Sequence, residues 1–411
     1  MNLLKYNRHW EKGFRFGFVK KREIFPDLLN QVQAKQIVEL AGLRRTGKTT
    51  LLFQLIDHLL DKGVSPFSIW YYTFDEAETD LDELFSSFTR QAQVDFKKEK
   101  IYVFLDEIQK LPDFQNKIKV YYDLYPNLKF FISGSTSLFI KRKVQESLAG
   151  RITTFLLLPL SFTEYLDFRD KAGLLEKRLA FRAELEREFE TYLESQFIEA
   201  VNMEKASDRK AYLVSIIRKI IFEDVPRSFP VDNPEILWRI AGIIGQNPGM
   251  CINYQSLAGD LGISNKTVSL YLFYLEEAFL VKKLFNFSRN MLTSEKKLKK
   301  FYLASPSFSW AVSEFSEKGK LAENLIASLK DYRFFWRDPY KHEIDFVDTR
   351  SGITPVEVKY KNEVRDRELK SLVIFSRRFK AGRALVLSKA FEDSSVEING
   401  LKIQKRPIYF F

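Results

Sequence analysis

The sequence is poor in the residues that build zinc clusters and disulfides. It holds one cysteine, Cys251, and three histidines. A lone cysteine excludes any intramolecular disulfide, and so few soft ligands leave no structural zinc cluster. Cys251 reads as a small core residue. Long apolar runs are missing too, so nothing resembles a membrane-spanning helix. Met1–Lys21 is basic and aromatic, without the apolar stretch or cleavage site of a secretory signal. The expectation is a cytoplasmic protein that engages no membrane. No internal repeat or low-complexity tract interrupts the chain. Acid is in deficit: 54 Asp and Glu stand against 65 Lys and Arg, a formal charge of +11. That balance favours a polyanionic partner. The excess is concentrated, because Val281–Lys300 holds Lys282, Lys283, Arg289, Lys296, Lys297, Lys299 and Lys300 against one acid, Glu295. A solvated basic surface is the plainer reading of that run.

What is present is a globular composition. With 411 residues, 45% hydrophobic and 29% charged, the chain is long enough for about two to four domains. From Gln36 to Leu160, short apolar runs alternate with amphipathic stretches. Gln36–Ala41, Phe67–Tyr72, Ile101–Leu105 and Lys129–Ser133 read as strands buried on both faces. Thr49–Leu60 and Leu81–Gln93 read as helices between them, which makes an α/β layout with a parallel sheet. Glu164–Ser228 turns helical, with Pro226 and Pro230 near its end. A second helical block spans Asn233–Leu280, and mixed α/β patterning returns from Lys299.

Gln36–Ala41 runs directly into Gly42-Leu43-Arg44-Arg45-Thr46-Gly47-Lys48-Thr49-Thr50 and then a helix. This is G-x-x-x-x-G-K-T in a strand–loop–helix context. Such a loop turns its amides and the helix N-terminus toward phosphates. Lys48 is expected to reach the β- and γ-phosphates, and the Thr49 hydroxyl to ligate Mg²⁺. The strand Ile101–Leu105 delivers Asp106 and Glu107. An Asp there can hold Mg²⁺, and the adjacent Glu can polarise an attacking water. Together they point to ATP hydrolysis. Ser133 or Ser135, after the strand Lys129–Ser133, is expected to sense the γ-phosphate; a plain polar turn is the alternative. Arg151 is expected to contact a γ-phosphate in cis or across a subunit interface, or else to form a surface ion pair. No guanine-reading N-K-x-D element is present. Arg22 and Phe25 are candidates for adenine contact.

The stretches GLRRTGKTTLL (42–52), VFLDEIQKLPDF (103–114), ISGSTSLFI (132–140), SLAGR (147–151) and LPLSFTEYL (158–166) carry a resemblance, as do 257–284 and PVEVKYKNE (355–363). The chain resembles prokaryotic AAA+-type ATPases with a C-terminal DUF4143 domain. That resemblance implies an additional-strand P-loop core over 1–165, a helical lid over 166–232, a winged helix over 233–295 and a restriction-endonuclease-like α/β domain over 296–411. It implies ATP and Mg²⁺ as cofactors, with Lys48, Thr49, Asp106 and Glu107 in their usual roles and Arg151 as finger or sensor.

Two downstream patterns concern partners. Asn253–Leu275 reads as two short helices around a turn at Gly262, with Ser264 as N-cap and Ala258, Val268, Leu272 and Leu275 facing inward. Asn265, Lys266, Ser269 and Tyr271 would face outward, with Phe279–Phe287 as a wing that carries Lys282 and Lys283 and leads into the lysine cluster. DNA is the expected partner, and packing or oligomerisation is the alternative. Glu343–Val347 and Thr354–Lys359 alternate like adjacent hairpin strands, with Glu357 and Lys359 on one face. Asp345, Glu357 and Lys359, with Glu323 on an upstream helix, resemble a PD-(D/E)xK nuclease site, in which Asp345 and Glu357 would hold metal. An exposed edge strand of alternating charge is the competing reading. The functional expectation is a Mg²⁺-dependent ATPase coupled to DNA binding or processing. An ATP-gated protein-interaction switch with an inert tail is the alternative. A homo-oligomer fits either.

Overall fold

The computed structural model describes residues 2–75, 79–134, 148–313 and 317–411. They group into two compact units, Met1–Leu158 and Pro159–Phe411. In the first, β1 (Ile37–Ala41), β2 (Ile69–Thr73), β3 (Ile101–Asp106), β4 (Leu128–Gly134) and β5 (Ile152–Leu156) form one parallel sheet. Its order is β2-β3-β4-β1-β5. Period-two geometry sends alternate side chains to opposite faces. Val38, Leu40, Tyr71, Phe104 and Phe131 meet Leu51, Leu52, Leu55 and Ile56 of α1 (Lys48–Asp61) in one core. Ile37, Trp70, Tyr72, Leu105 and Phe130 meet Phe85 and Phe88 of α2 (Leu81–Ala92) and Ile118 of α3 (Phe114–Leu124) in another. Burial on both faces explains why these strands are continuously apolar. Flat stacking adds to both cores: Trp70 of β2 lies 4.7 Å from Phe88 of α2, and Phe104 of β3 lies 4.6 Å from its cross-strand neighbour Phe131 of β4.

The second unit has helices over Phe162–Val312 and a nine-stranded mixed sheet. Its strands are β6 (Met250–Ile252), β7 (Val281–Asn286), β8 (Lys299–Leu303), β9 (Phe334–Arg337), β10 (Glu343–Asp348), β11 (Thr354–Lys359), β12 (Arg383–Ser388), β13 (Ser394–Ile398) and β14 (Leu401–Pro407). The order is β13-β14-β12-β11-β10-β9-β7-β8-β6. A short parallel pairing, Phe285↔Phe334 and Asn286↔Phe335, joins β7 to β9. The sheet therefore runs unbroken through 233–295 and 296–411. Between β6 and β7 lie α4 (Tyr254–Leu261) and α5 (Asn265–Glu277). Asn253 caps α4 by accepting from the Gln255 and Ser256 amides, and Ser264 caps α5 by accepting from the Thr267 amide at 3.0 Å. Gly262 makes the turn at φ +68°, in the left-handed region. Helices α6 (Lys318–Leu329) and α7 (Lys370–Phe379) contribute to separate cores. Leu321 and Leu325 of α6 pack with Phe335 and Phe346, while Leu372 and Phe375 of α7 pack with Trp336, Ile344 and Val347.

Candidate nucleotide site and the acidic cluster of the second unit

The phosphate loop leaves the C-terminal end of β1, the usual binding edge of a parallel α/β sheet. Gly42 has φ +150°, and a Cβ built there would sit 2.4 Å from the Leu157 carbonyl oxygen. Only glycine fits that approach. Gly47, at φ +95°, starts α1 without a side-chain cap. Thr46 Oγ1 donates to the Leu43 carbonyl at 2.9 Å, and Lys48 Nζ donates to the Gly42 and Leu43 carbonyls at 3.0 and 2.9 Å. Arg22 braces the loop by donating to the Thr46 carbonyl at 2.6 Å and to the Leu158 carbonyl at 2.8 Å.

Asp106 is the hub. Its carboxylate accepts from Thr49 Oγ1 at 2.6 Å, from the Tyr71 hydroxyl at 3.1 Å, from the Glu107 amide at 3.1 Å and from Ser133 Oγ. Strand register explains the convergence. Leu40 pairs with Ser133 and Leu105 with Ile132, so the ends of β1, β4 and β3 lie side by side. Burial and the Asp106 carboxylate raise the Tyr71 hydroxyl far above its ordinary pKa, so it stays a donor. Glu107 sits at φ +51°, a strained position for a non-glycine residue. Burial pushes its pKa up, and the nearby Lys48 ammonium opposes that shift. Gln109 donates to it.

Ser133 is fully buried and bonded to Asp106, so it positions that carboxylate. Ser135 lies outside the described residues. Phe25 is not free to stack on a base; it is 2% exposed and packs in the core with Leu28 and Leu52. Arg151 precedes β5, and its carbonyl accepts from the Ile37 amide at the start of β1. That places it at the opposite end of the sheet from the loop, roughly 15 Å away along five residues of strand. Its guanidinium instead grips Asp123 in a two-pronged pair, at 2.8 and 3.1 Å. Tyr71, Gln109 and the loop-bracing part of Arg22 escaped the sequence reading. Tyr71 left no signal of its own, because Tyr72 and Thr73 bring hydroxyls to the same strand.

In the second unit, Asn265, Lys266 and Ser269 are exposed on α5, whereas Tyr271 is buried. Leu270 and Phe273 share the exposed surface. Lys282 and Lys283 depart from the expected DNA-facing wing. Lys282 Nζ donates to the Lys330 carbonyl, and burial lowers its pKa to about 8. Lys283 pairs with Glu276 at 2.6 Å. Lys283 thus meets the end of α5 just before it, whereas Lys282 meets a carbonyl 48 residues away that its local sequence does not announce.

The tail carboxylates do come together. Phe346 pairs with Val356, so Asp345 and Glu357 are opposite one another a step along the ladder. Lys359 Nζ donates to Glu357 Oε1 at 2.6 Å, as their shared strand face requires. Glu323 enters from α6. At the centre lies a residue the sequence placed in the basic surface run. Lys300 is fully buried, and its Nζ donates to Glu323 Oε1 at 2.6 Å and Glu343 Oε1 at 2.8 Å. Asp345 Oδ1 is 3.6 Å from the same nitrogen. Among the described residues, no group of three or more His, Cys, Asp or Glu side chains is placed to hold a metal ion.

A family model of an AAA domain matches residues 34–166. A domain of unknown function, DUF8612, matches 186–319, and another, DUF4143, matches 318–405. The chain thus carries an AAA-type P-loop domain. With the C-terminal match, it has the AAA+-type P-loop and DUF4143 pairing that its motifs resemble. An uncharacterised protein of Haemophilus influenzae is 27% identical over 277 residues, which is 65% of this chain and 66% of that protein. The matched region is thus just under two thirds of that relative's length. An uncharacterised protein of Methanocaldococcus jannaschii is 25% identical over 371 residues, 86% of this chain and 81% of that one. Among solved structures, the Aeropyrum pernix ORC1 protein in complex with DNA is similar at a TM-score of 0.34 and 16% identity, over 75% of this chain and 96% of that one. Among the described residues, no helix is long and apolar enough to cross a membrane.

Proposed function

We propose that the chain is a Mg²⁺-dependent ATP hydrolase whose nucleotide state controls a grip on DNA. The observation that carries the hydrolase reading is the bond of 2.6 Å from the Thr49 hydroxyl to Asp106, beside Lys48 and Glu107. An all-oxygen pair of hydroxyl and carboxylate fits Mg²⁺, which prefers hard ligands and keeps several waters. Bound between Thr49 and Asp106, the ion would neutralise charge on the phosphates. Lys48 and the loop amides would hold the phosphate oxygens. Glu107, with its pKa raised by burial, is suited to take a proton from attacking water. Arg151 lies at the far end of the strands from its own loop and is paired with Asp123, so any part it plays in turnover would fall on a second copy's nucleotide; otherwise it is a surface ion pair.

The DNA reading rests on α5, where Ser264 caps a helix that exposes Asn265, Lys266 and Ser269. The order of helix, short strand, capped helix pair and strands β7 and β8, with a short helix at Met291–Lys296 between those strands, supports a winged-helix reading. The net charge of +11 supports a polyanion. The runner-up, a protein-interaction switch, draws on Leu270 and Phe273, which are 40% and 45% exposed on the same helix.

The test is ATP turnover and ATP binding by wild type, Lys48→Ala and Glu107→Gln, with and without duplex and single-stranded DNA. Lys48→Ala should lose both binding and turnover. Glu107→Gln should bind ATP and lose turnover by about 10²–10⁴-fold. Full turnover in Glu107→Gln would remove Glu107 as base. Turnover indifferent to every DNA, with no salt-dependent binding, would favour the protein switch.

A further inference from the structure

The resemblance to a PD-(D/E)xK nuclease site implies a divalent metal held by Asp345 and Glu357. The residues present do not fit one. Glu323, Glu343, Asp345 and Glu357 offer eight carboxylate oxygens. Glu323 Oε1 accepts from Lys300 and from the Tyr302 hydroxyl, both at 2.6 Å, and its Oε2 faces Lys320 at 3.3 Å. Glu343 Oε1 accepts from Lys300 at 2.8 Å, and its Oε2 lies 3.6 Å from Arg337. Asp345 Oδ1 faces Lys300 at 3.6 Å, and its Oδ2 accepts from the Val358 amide at 2.8 Å. Glu357 Oε1 is taken by Lys359. Of these eight oxygens, Glu357 Oε2 alone is buried without a partner. Mg²⁺ keeps several waters but still needs a carboxylate or two that it can hold, and here every carboxylate is already engaged by a cation, leaving a single unpartnered oxygen.

Charge and space agree with that count. Four carboxylates face four cations, Lys300, Lys320, Arg337 and Lys359. Gly249 closes the wall beside them. At φ +80°, a Cβ there would lie 2.8 Å from Glu323 Oε1 and 2.9 Å from Lys300 Cε. Lys300 Nζ is fully enclosed, with Glu323, Glu343 and Asp345 all within 3.6 Å. A divalent ion would have to share this cage with a fixed ammonium.

We infer that the Lys300 ammonium is the resident cation of this carboxylate cluster, so that the tail takes no divalent metal there and is not a metal-dependent nuclease. A lysine on β8 ties α6 to β10 in the place where the resemblance would put a catalytic ion. The inference is independent of the nucleotide site and stands or falls without it.

The experiment is Mn²⁺ titration of the full chain, read by the electron paramagnetic resonance of free Mn²⁺. Every protein carries Asp106→Asn, so that uptake at the nucleotide site is suppressed. The parent should show no uptake that Asp345→Asn removes. Lys300→Met should gain a Mn²⁺ site, and Lys300→Met with Asp345→Asn should lose it again. An Asp345-dependent site in the parent overturns the inference. So does a cooperatively folded Lys300→Met that gains no site. Should Lys300→Met fail to fold, the parent and Asp345→Asn decide the question alone. Plasmid incubated with Mn²⁺ and otherwise wild-type protein should stay uncut, and cleavage lost in Asp345→Asn would also overturn it.

Discussion

His9 lies buried against β2, with Nε2 2.9 Å from the Ile69 carbonyl oxygen and Nδ1 without a partner. Burial lowers its pKa from 6.5 to about 4, against smaller opposing contributions from the Ile69 carbonyl and Asp57. The folded chain therefore keeps the ring neutral where the unfolded chain protonates it. The stabilisation is complete above pH 6.5 and is lost as pH falls toward 4. At pH 5 the loss should be about 2 kcal/mol. Urea unfolding of wild type at pH 7 and pH 5 should show that drop. His9→Gln, which keeps a donor for Ile69, should show much less of it; an equal drop in both would remove His9 as the cause. Single residues also mark how far sequence reading reaches. Gly42, Lys48, Thr49 and Asp106 were legible because loop chemistry requires their types at their spacing. Tyr71 and Lys300 were not, since each acts through a partner 35 or 23 positions away.

At the scale of elements, α5 separates the two readings of the partner. Its exposed surface mixes Asn265, Lys266 and Ser269 with Leu270 and Phe273. A DNA contact through this helix depends on the polar residues and on Lys266's charge. Lys266→Glu should weaken duplex binding at every sequence and flatten its salt dependence, while Leu270→Ser with Phe273→Ser should leave binding within about twofold. Fluorescence anisotropy with labelled duplex at several salt concentrations reads both. Loss confined to the double serine variant would move the helix to the protein-binding reading. The local grammar of α5 was visible in the sequence: Ser264 as cap, Gly262 as turn, Val268 and Leu272 inward. The β10–β11 hairpin was equally visible, because alternation fixes which side chains share a face. The bond between β7 and β9 was not. It joins positions about fifty residues apart through two paired residues, and no local pattern encodes such a pairing. That hidden connection is also why Lys282 turned out to be internal, with its ammonium on the Lys330 carbonyl just before β9.

At the scale of the whole molecule, the sheet order β2-β3-β4-β1-β5 determines what one copy can do alone. Parallel strands put every C-terminal end at one edge. Thr49, Asp106 and Glu107 gather there, and Arg151, before β5, is left at the other edge beside Asp123. The bond to Asp123 is exposed, so Arg151→Ala should leave the melting temperature nearly unchanged. If Arg151 completes a neighbour's site, that variant should still lose turnover by about 10³-fold. The distinguishing measurement is mixing. Lys48→Ala has a dead loop and an intact arginine; Arg151→Ala has an intact loop and no arginine. Each alone should be inactive. Mixed in equal amounts, the Lys48→Ala chain can lend its arginine to the working loop of the other, and ATP turnover should return. A mixture as silent as its components, under conditions where the copies associate, would place Arg151 outside the reaction. Full turnover by Arg151→Ala alone would reduce it to a surface partner of Asp123.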